Sequence, residues 1–157
     1  MIKSIDNVDL QILGLLIEDA RTPYTEIAKA IGVSAGTVHV RVKKLEKKGV
    51  IQGATLNINY EIMGYSFTAY VGILIGRTND SDKIINDIKK IPEVTVANVT
   101  SGQFGALCKI RCRDTPHAKD VIYRINNVPG IIRTESMISL EESLNDKKRL
   151  FKSIFAR

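Results

Sequence analysis

The stretch PYTEIAKAIGVSAGTVHVRVKKLEKK, residues 23–48, decides how the N-terminal part of this chain folds. Its spacing predicts a short helix, a tight turn at Gly32-Val33-Ser34 and a second helix from Ala35 to Lys48. Gly32 can end the first helix with a positive φ, and Ser34 can cap the free amides of the second. This layout is typical of a helix-turn-helix motif that reads DNA.

The second helix of this motif has an apolar side and a basic side. Val38, Val42 and Leu45 recur at the spacing of a buried helical stripe. From Arg41 to Lys48 the sequence contains five cations and one anion, and phosphates attract such a face through counterion release. We therefore predict that double-stranded DNA is bound by Ser34, Gly36, Thr37, His39, Val40, Arg41, Lys43, Lys44 and Lys47.

The predicted DNA-binding residues divide by the part of the duplex that they reach. We expect Thr37, His39 and Arg41 near bases, and Val40 against a thymine methyl group. Phosphate contacts are expected of Ser34, Lys43, Lys44 and Lys47. Two alternatives stay open, because a charge run alone is commonly a solvated helix face, and because His39 could equally pack against the following segment.

Two flanking segments complete a DNA-binding domain. A first helix is predicted from Asn7 to Glu18, with Asp6 as its cap and an apolar stripe that includes Ile12 and Leu15. After Gly49, the residues 50–56 predict a short β-ribbon, which is the wing of a winged helix. Residues 1–56 are therefore predicted to be a winged helix-turn-helix domain.

Composition restricts the class of protein. The 157 residues are 44% hydrophobic, which supports a real core, and the net charge of +6 is only moderately basic. The clustering of charge, and not its total, indicates nucleic acid. No run of about 20 apolar residues predicts a membrane span, and the N-terminus does not resemble a signal peptide. Cys108 and Cys112 would share one strand face, which favours core packing in a reducing cytoplasm over a metal site.

The second half of the chain follows a different pattern. Residues 57–65 read as a linker with several breakers, and residues 66–157 read as one further domain. Its elements alternate as β-α-β-β-α-β, which is the ferredoxin-like arrangement within an α+β fold. The predicted strands are 65–75, 94–100, 104–113 and 131–140, and the predicted helices are 81–90 and 116–126, the second behind Asp114 or Thr115 as its cap.

A sheet with both helices on one face must cover the other face. The first strand is largely apolar on both sides, so we predict that a second copy of the chain covers the open face and forms a homodimer. A two-fold dimer also suits palindromic DNA half-sites. The amphipathic segment 144–157 could be a helix that packs on the domain or on a partner subunit.

Several of these stretches resemble the Lrp/AsnC, or feast/famine, family of transcription regulators. The resemblance begins at residues 5–9, continues through 19–24 and is strongest at 32–42. The stretch 32–42 is similar to the AsnC branch in particular, as are residues 49–54, 64–65 and the Thr100-Ser101-Gly102 turn.

The resemblance implies a cytoplasmic regulator in which dimers assemble through the sensing domains into octamers of four dimers. It also implies a small amino acid as effector, asparagine for the AsnC branch, bound between dimers, with no other cofactor. The matching effector-binding residues are Thr100, Ser101, Gly102, Gln103, Phe104, Gly105, Thr134 and Ser136. Gly105 stands where many members carry an acidic residue, and Phe104 where a hydroxylated aromatic is common. The alternatives are that the effector is a different amino acid, or that this loop is only a hairpin turn in a protein that binds another ligand or none.

Two other functions are alternatives to an effector-controlled regulator. An architectural protein of the same family would wrap DNA with little base readout and without an effector. An enzyme on the ferredoxin-like sheet is disfavoured, because neither His39 nor His117 has a plausible nucleophile or carboxylate pair beside it in the sequence. We therefore predict no catalytic residue and no metal site.

Overall fold

Three helices at the N-terminus form around a capped turn, as the sequence predicts. The computed structural model describes residues 5–76 and 81–155, and its first helices are α1 (Asn7–Glu18), α2 (Tyr24–Ile31) and α3 (Ala35–Lys47). Gly32 ends α2 with a φ of 71°. The hydroxyl of Ser34 accepts a hydrogen bond from the Thr37 amide at 3.0 Å and so caps α3.

The apolar stripe of α3 forms the core of this part of the molecule. Val38 and Val42 are buried in one cluster with Ile12 of α1 and Ile27 of α2, and Leu45 is buried as well. Burial on three helices fixes which side of α3 faces inward, because the stripe leaves water only when it points at the other two. The predicted stripe is therefore confirmed.

The segment after α3 does not form the expected β-ribbon. Within the described residues, 50–56 contain no strand. The amides of Val50 and Ile51 both donate to the carbonyl of Leu45, at 3.0 and 3.3 Å, and so close the C-terminus of α3. Residues 52–57 are exposed, and a ribbon needs a second strand to take up the backbone hydrogen bonds of the first. The strand pair is thus a wrong prediction for this chain taken alone.

The second half of the chain builds one four-stranded sheet with two helices. In chain order the elements are β1 (Phe67–Ile75), α4 (Ser81–Ile88), β2 (Val94–Val99), β3 (Ala106–Cys112), α5 (Thr115–Asn126) and β4 (Ile131–Ile138). The strand order is β2-β3-β1-β4, and every neighbouring pair is antiparallel. This is the predicted ferredoxin-like topology. Asp114, and not Thr115, caps α5, since its carboxylate accepts from the His117 amide at 2.8 Å.

One face of the sheet and the two helices enclose the core of this unit. Val71 and Ile73 of β1 are fully buried in it, as are Ile88 of α4 and Ile125 of α5. Cys108 belongs to the same cluster as a free thiol whose pKa burial raises to about 11, which agrees with core packing. Among the described residues, no helix combines the length and the apolar composition needed to cross a membrane.

The opposite face of the sheet is less apolar than the sequence suggested. Lys109 of β3 lies on this face, where its ammonium forms an ion pair with Glu142 and stands 5.8 Å from the centre of the Tyr70 ring. Arg111 follows two residues later, and its guanidinium donates to the carbonyl of Tyr65 at 3.1 Å. The chain's own flanking segments therefore cover part of a face that we expected to be open.

The C-terminal segment ends in a short helix, α6 (Arg149–Phe155), and belongs with the N-terminal helices. The structure divides into one unit with residues up to Asn57 and from Leu144 onward, and another with Ile58–Ser143. Phe151 lies against α1, where a Cβ added at Gly14 would be 3.8 Å from its ring. The predicted domain of residues 66–157 therefore differs from the structure from Leu144 onward, because the apolar side of this segment packs on α1.

Candidate nucleic-acid interface and effector site

The basic face of α3, defined here as Ser34, Gly36, Thr37, His39, Val40, Lys43, Lys44 and Lys47, is the outer side of the helix. Thr37 is partly buried and the other seven residues are exposed. Val40 has 65% of its surface exposed, although valine is usually buried. An exposed apolar side chain on a face that also carries lysines suits contact with a thymine methyl group.

The start of α3 combines a cap with very little bulk. The hydroxyls of Ser34 and Thr37 lie 2.9 Å apart, so both side chains stay close to the helix end. Gly36 is exposed, and a Cβ there would approach only the Ser34 hydroxyl, at 3.7 Å. Gly36 is thus not required by packing inside the protein. Its effect is to leave the outer surface of the first turn flat.

The ring of His39 packs on Tyr24 at the start of α2. Its ring centre is 5.9 Å from that of Tyr24, with the two planes tilted by 57°. The residue as a whole is exposed. Tyr24 therefore supports one side of the imidazole while the other side faces outward from the basic face of α3.

Arg41 is the predicted DNA-binding residue that the structure places elsewhere. Its Nη1 donates to Asp6 Oδ2 at 2.6 Å and to Asp9 Oδ1 at 2.8 Å, at the beginning of α1. Hydrogen bonding by Arg41 holds the pKa of Asp6 below its usual range, and the two carboxylates raise the pKa of Arg41. The expected base contact of Arg41 does not agree with this position, because the guanidinium is already bound within the protein.

The sequence carries a signal for this arrangement in the two aspartates at the start of α1. The helix pattern predicts Asp6 as the cap of α1 but assigns no role to Asp9. Asp9 is buried, with 3% of its side chain exposed, and a buried carboxylate requires a partner of opposite charge. The pair Asp6-x-x-Asp9 at a helix start could therefore have predicted a cation from another helix.

The loop between β2 and β3 is a tight turn that rests on β1. Thr100 Oγ1 donates to the Phe104 carbonyl at 2.6 Å, and the Gly105 amide donates to the Ile73 carbonyl at 2.9 Å. A Cβ on Gly105 would lie 2.8 Å from the side chain of Ile75. The glycine is therefore required here by close packing, and an acidic side chain at this position would need the backbone or Ile75 to move.

Phe104 lies on the sheet face away from the helices. A Cβ on Gly72 would stand 2.8 Å from three atoms of the Phe104 ring, so the ring sits directly on the glycine backbone. Gly72 is paired with Glu135 of β4, which makes Glu135 a neighbour on the same face.

Thr134 and Ser136 lie on the other face of the sheet. They pair with Ile73 and Val71, whose side chains point into the helix-covered core. Ser136 also lines a cavity of about 360 Å³ together with Phe67 and residues of α5. Within one protomer the two hydroxyls therefore do not meet Phe104. Alternation in the sequence correctly predicts Thr134 and Ser136 on one side and Glu135 on the other, but the strand register turns the side of Thr134 and Ser136 towards the helices.

Comparison with known proteins identifies both halves of the chain. A model of winged helix-turn-helix DNA-binding domains matches residues 5–52, and a model of the Lrp/AsnC ligand binding domain matches residues 68–148. The chain belongs to the Lrp/AsnC family of transcription regulators. The fold and the family expected from the sequence are thereby confirmed.

Individual members of the Lrp/AsnC family resemble this chain over most of its length. The regulatory protein AsnC of Haemophilus influenzae is 34% identical over 142 residues, which is 90% of this chain and 95% of the relative. The solved structure of E. coli AsnC has a TM-score of 0.85 at 34% identity and covers 90% of this chain and 95% of its own.

A second solved structure shows a relative with a bound amino acid. The feast or famine regulatory protein from M. tuberculosis, complexed with L-methionine, has a TM-score of 0.84 at 28% identity and covers 90% of this chain and 96% of its own. These comparisons confirm a DNA-binding transcription regulator with an amino-acid-sensing domain. Its relatives are regulators and not enzymes.

Proposed function

We propose that this Lrp/AsnC-family regulator binds specific double-stranded DNA through the basic face of α3, and that asparagine changes its assembly or its affinity for DNA. The observation that carries the DNA half is the exposed side of α3, where lysines surround Val40. Lysines supply affinity that does not depend on sequence, whereas an exposed apolar residue can distinguish bases.

We assign different roles to the members of the basic face of α3. Thr37, His39 and Val40 read base edges in the major groove. Gly36 allows the helix start to approach the bases, and the capped turn at Ser34 lies against the phosphate backbone. Phosphates are bound by Lys43, Lys44 and Lys47. Arg41 is left out of this set, because its Nη1 is bound to two carboxylates, and turning the side chain outward to a base would separate it from both.

The effector half of the proposal rests on the turn from Thr100 to Gly105. Residues 101–103 are exposed, and their backbone amides can bind the carboxylate of an amino acid, whereas the Gly105 amide already donates to β1. Glu135 shares its sheet face with Phe104 and takes the place of Thr134 and Ser136 in our assignment. Its carboxylate, which accepts a hydrogen bond from Arg133 on the same strand, can also bind the ammonium of the ligand, which a glycine at position 105 cannot do.

Asparagine is the first effector to test, because the chain is similar to proteins named AsnC. The relative from M. tuberculosis was complexed with L-methionine, so other amino acids belong in the same experiment. We further propose that the protein acts in the cytoplasm as homodimers joined through their sensing domains, and that four dimers form an octamer. Exposed apolar residues on and just after β4 support such contacts, namely Ile132, Met137, Ile138 and Leu140.

Two measurements test the two halves of the proposal separately. Selection from random duplexes with the full-length protein, followed by titration of a selected and a scrambled duplex at one salt concentration, measures the specific-to-non-specific affinity ratio. We expect a ratio of about 10³ or more. A ratio near one would instead support the architectural alternative. Repeating the titration with each of the twenty amino acids tests the effector, and no change with any of them would contradict an effector role.

A further inference from the structure

Each carboxylate of Asp6 and Asp9 accepts a hydrogen bond from a backbone amide with one oxygen and from Arg41 with the other. Asp6 Oδ1 accepts from the Asp9 amide at 2.9 Å, and Asp9 Oδ2 accepts from the Asp6 amide at 3.3 Å, which is a reciprocal capping box at the start of α1. The remaining oxygen of each carboxylate accepts from Arg41 Nη1. One guanidinium nitrogen from the middle of α3 is therefore held by the cap of α1.

This contact is not an ordinary surface ion pair. The side chain of Asp9 is 3% exposed and that of Arg41 is 28% exposed, so the Arg41–Asp9 contact is largely shielded from water. If Arg41 turned outward to DNA, it would leave a buried carboxylate without a cation, which is strongly unfavourable. Arg41 is therefore expected to remain with Asp9 when DNA is bound.

The hydrogen bonds of Arg41 to Asp6 and Asp9 are expected to restrict the rotation of α3 about its own axis. The apolar stripe of α3 packs by surface burial, which is non-directional and tolerates small rotations. A charged hydrogen bond has a defined direction and distance. Arg41 directly follows His39 and Val40, whose orientation toward a base edge would change with any rotation of the helix at this point.

We propose that Arg41 is a positioning residue for DNA recognition, which ties α3 to the cap of α1 and so sets the angle at which His39 and Val40 meet the bases. This inference rests on the proposed DNA-binding function of the basic face of α3. Asp6 and Asp9 would then support sequence recognition by holding Arg41, although they are anions close to a DNA-binding surface.

The sign of the effect of an aspartate variant distinguishes positioning from direct contact. If Arg41 touched DNA, then Asp6→Asn or Asp9→Asn would remove a competing anion, and specific binding would stay equal or become tighter. If Arg41 positions α3, the same variants loosen the helix, and the specific-to-non-specific affinity ratio falls. Asparagine is also a good N-cap, so Asp6→Asn keeps the cap of α1 while it weakens the ion pair.

The experiment uses the full-length protein with a duplex selected by the wild type and a scrambled duplex, both at one salt concentration. The variants are Asp6→Asn, Asp9→Asn, Arg41→Lys and Arg41→Ala, each with a thermal melt to show that it is folded at the temperature of the titration. Asp19→Asn is the matched control, because it makes the same change at an exposed carboxylate that accepts from the Arg21 amide and pairs with the Arg21 guanidinium.

We expect the affinity ratio to fall by about tenfold for Asp9→Asn and Arg41→Ala, within the range of coupled ion-pair networks. Arg41→Lys should recover part of the loss, and Asp19→Asn should leave the ratio unchanged. The double variant Asp9→Asn with Arg41→Ala should lose no more than the worse single variant.

An unchanged or higher ratio for both aspartate variants, with a loss for Arg41→Ala, would overturn the inference in favour of direct DNA contact. If Asp9→Asn or Arg41→Ala does not fold, Asp6→Asn is compared with Asp19→Asn. A lower specific-to-non-specific affinity ratio for Asp6→Asn alone supports the inference, and equal ratios overturn it. A wild-type protein that does not prefer its selected duplex would refute the proposed function itself. The wild-type titration alone gives this result, so it can be told apart from a failure of the positioning role, which only the variants test.

Discussion

The ring of Phe104 lies on the backbone of Gly72, so that the turn after β2 and the middle of β1 fit together only because residue 72 has no side chain. Three ring atoms occupy the space that a Cβ at position 72 would need. Gly72 is itself buried in the strand and paired with Glu135. The contact therefore joins the proposed effector turn to β1, which pairs with β4, the strand that carries the proposed ammonium ligand Glu135.

Gly72→Ala is expected to displace Phe104 and destabilise the protein by about 1–3 kcal/mol, the usual cost of overpacking a fitted site. Chemical denaturation at equilibrium measures this free energy. Phe104→Ala in the same background removes the ring that clashes, so the double variant should be less destabilised than the sum of the two single changes. Additive effects would show that the ring and the glycine do not restrain one another.

Glu93 gives a prediction for pH. Burial alone would raise the pKa of Glu93, but hydrogen bonds from Arg124 Nη2 at 2.8 Å and His117 Nε2 at 3.0 Å outweigh it and hold the pKa at about 2. Because this value is below that of an unfolded glutamate, the ionised group stabilises the folded state at pH values above about 4.5. The contribution is lost as the pH falls from about 4.5 towards 2.

Glu93→Gln should therefore lower the free energy of unfolding at pH 7 by on the order of 2–3 kcal/mol. The difference between the wild type and this variant should shrink as the pH is lowered to about 3. The variant has no charge at this position at any pH, whereas the wild type gradually loses the stabilisation as the pH falls. Urea titrations at pH 7, 5 and 3 measure it. A difference that stays constant over this range would mean that the charge of Glu93 contributes nothing and only its shape matters.

Phe151 gives a prediction for the C-terminal helix. Its ring lies beside Gly14, and together with Phe155 it lines a mainly apolar cavity of about 560 Å³ against α1. Phe151→Ala should destabilise the unit that contains α1 by about 1–3 kcal/mol, because a half-buried aromatic surface is lost. Leu150→Ala is the matched control, since Leu150 is the preceding residue and 68% exposed. Equal melting temperatures for both variants would show that α6 does not support α1.

The sequence predicts the order of the elements well because each is governed by its own periodicity. The stripe Val38, Val42 and Leu45 needs only the 3.6-residue repeat of a helix, and the alternation in β1 and β3 needs only the two-residue repeat of a strand. Caps at Asp6, Ser34 and Asp114 mark the helix starts by local chemistry.

The features that sequence reasoning missed depend on residues that are distant in the chain. Arg41 looked free for DNA because its partners lie 32 and 35 positions away. Thr134 and Ser136 looked suitable for a ligand because alternation tells which residues share a face, but not which face the helices cover; the register with Val71 and Ile73 decides that. The segment from Leu144 showed its amphipathic pattern without showing that α1 is its partner.

Val40 allows the most direct test of base reading. It is 65% exposed, so Val40→Ala should change the free energy of unfolding by less than about 0.5 kcal/mol, as is usual for surface positions. If Val40 contacts a thymine methyl group, this variant should weaken binding to the selected duplex, and replacing the contacted thymine by uracil should weaken wild-type binding by a similar factor. The variant and the uracil duplex combined should lose no more than either change alone, because both remove the same contact. Titration of the two proteins with duplexes that carry uracil at one position at a time measures this, and purely additive losses at every position would show that Val40 reads no methyl group.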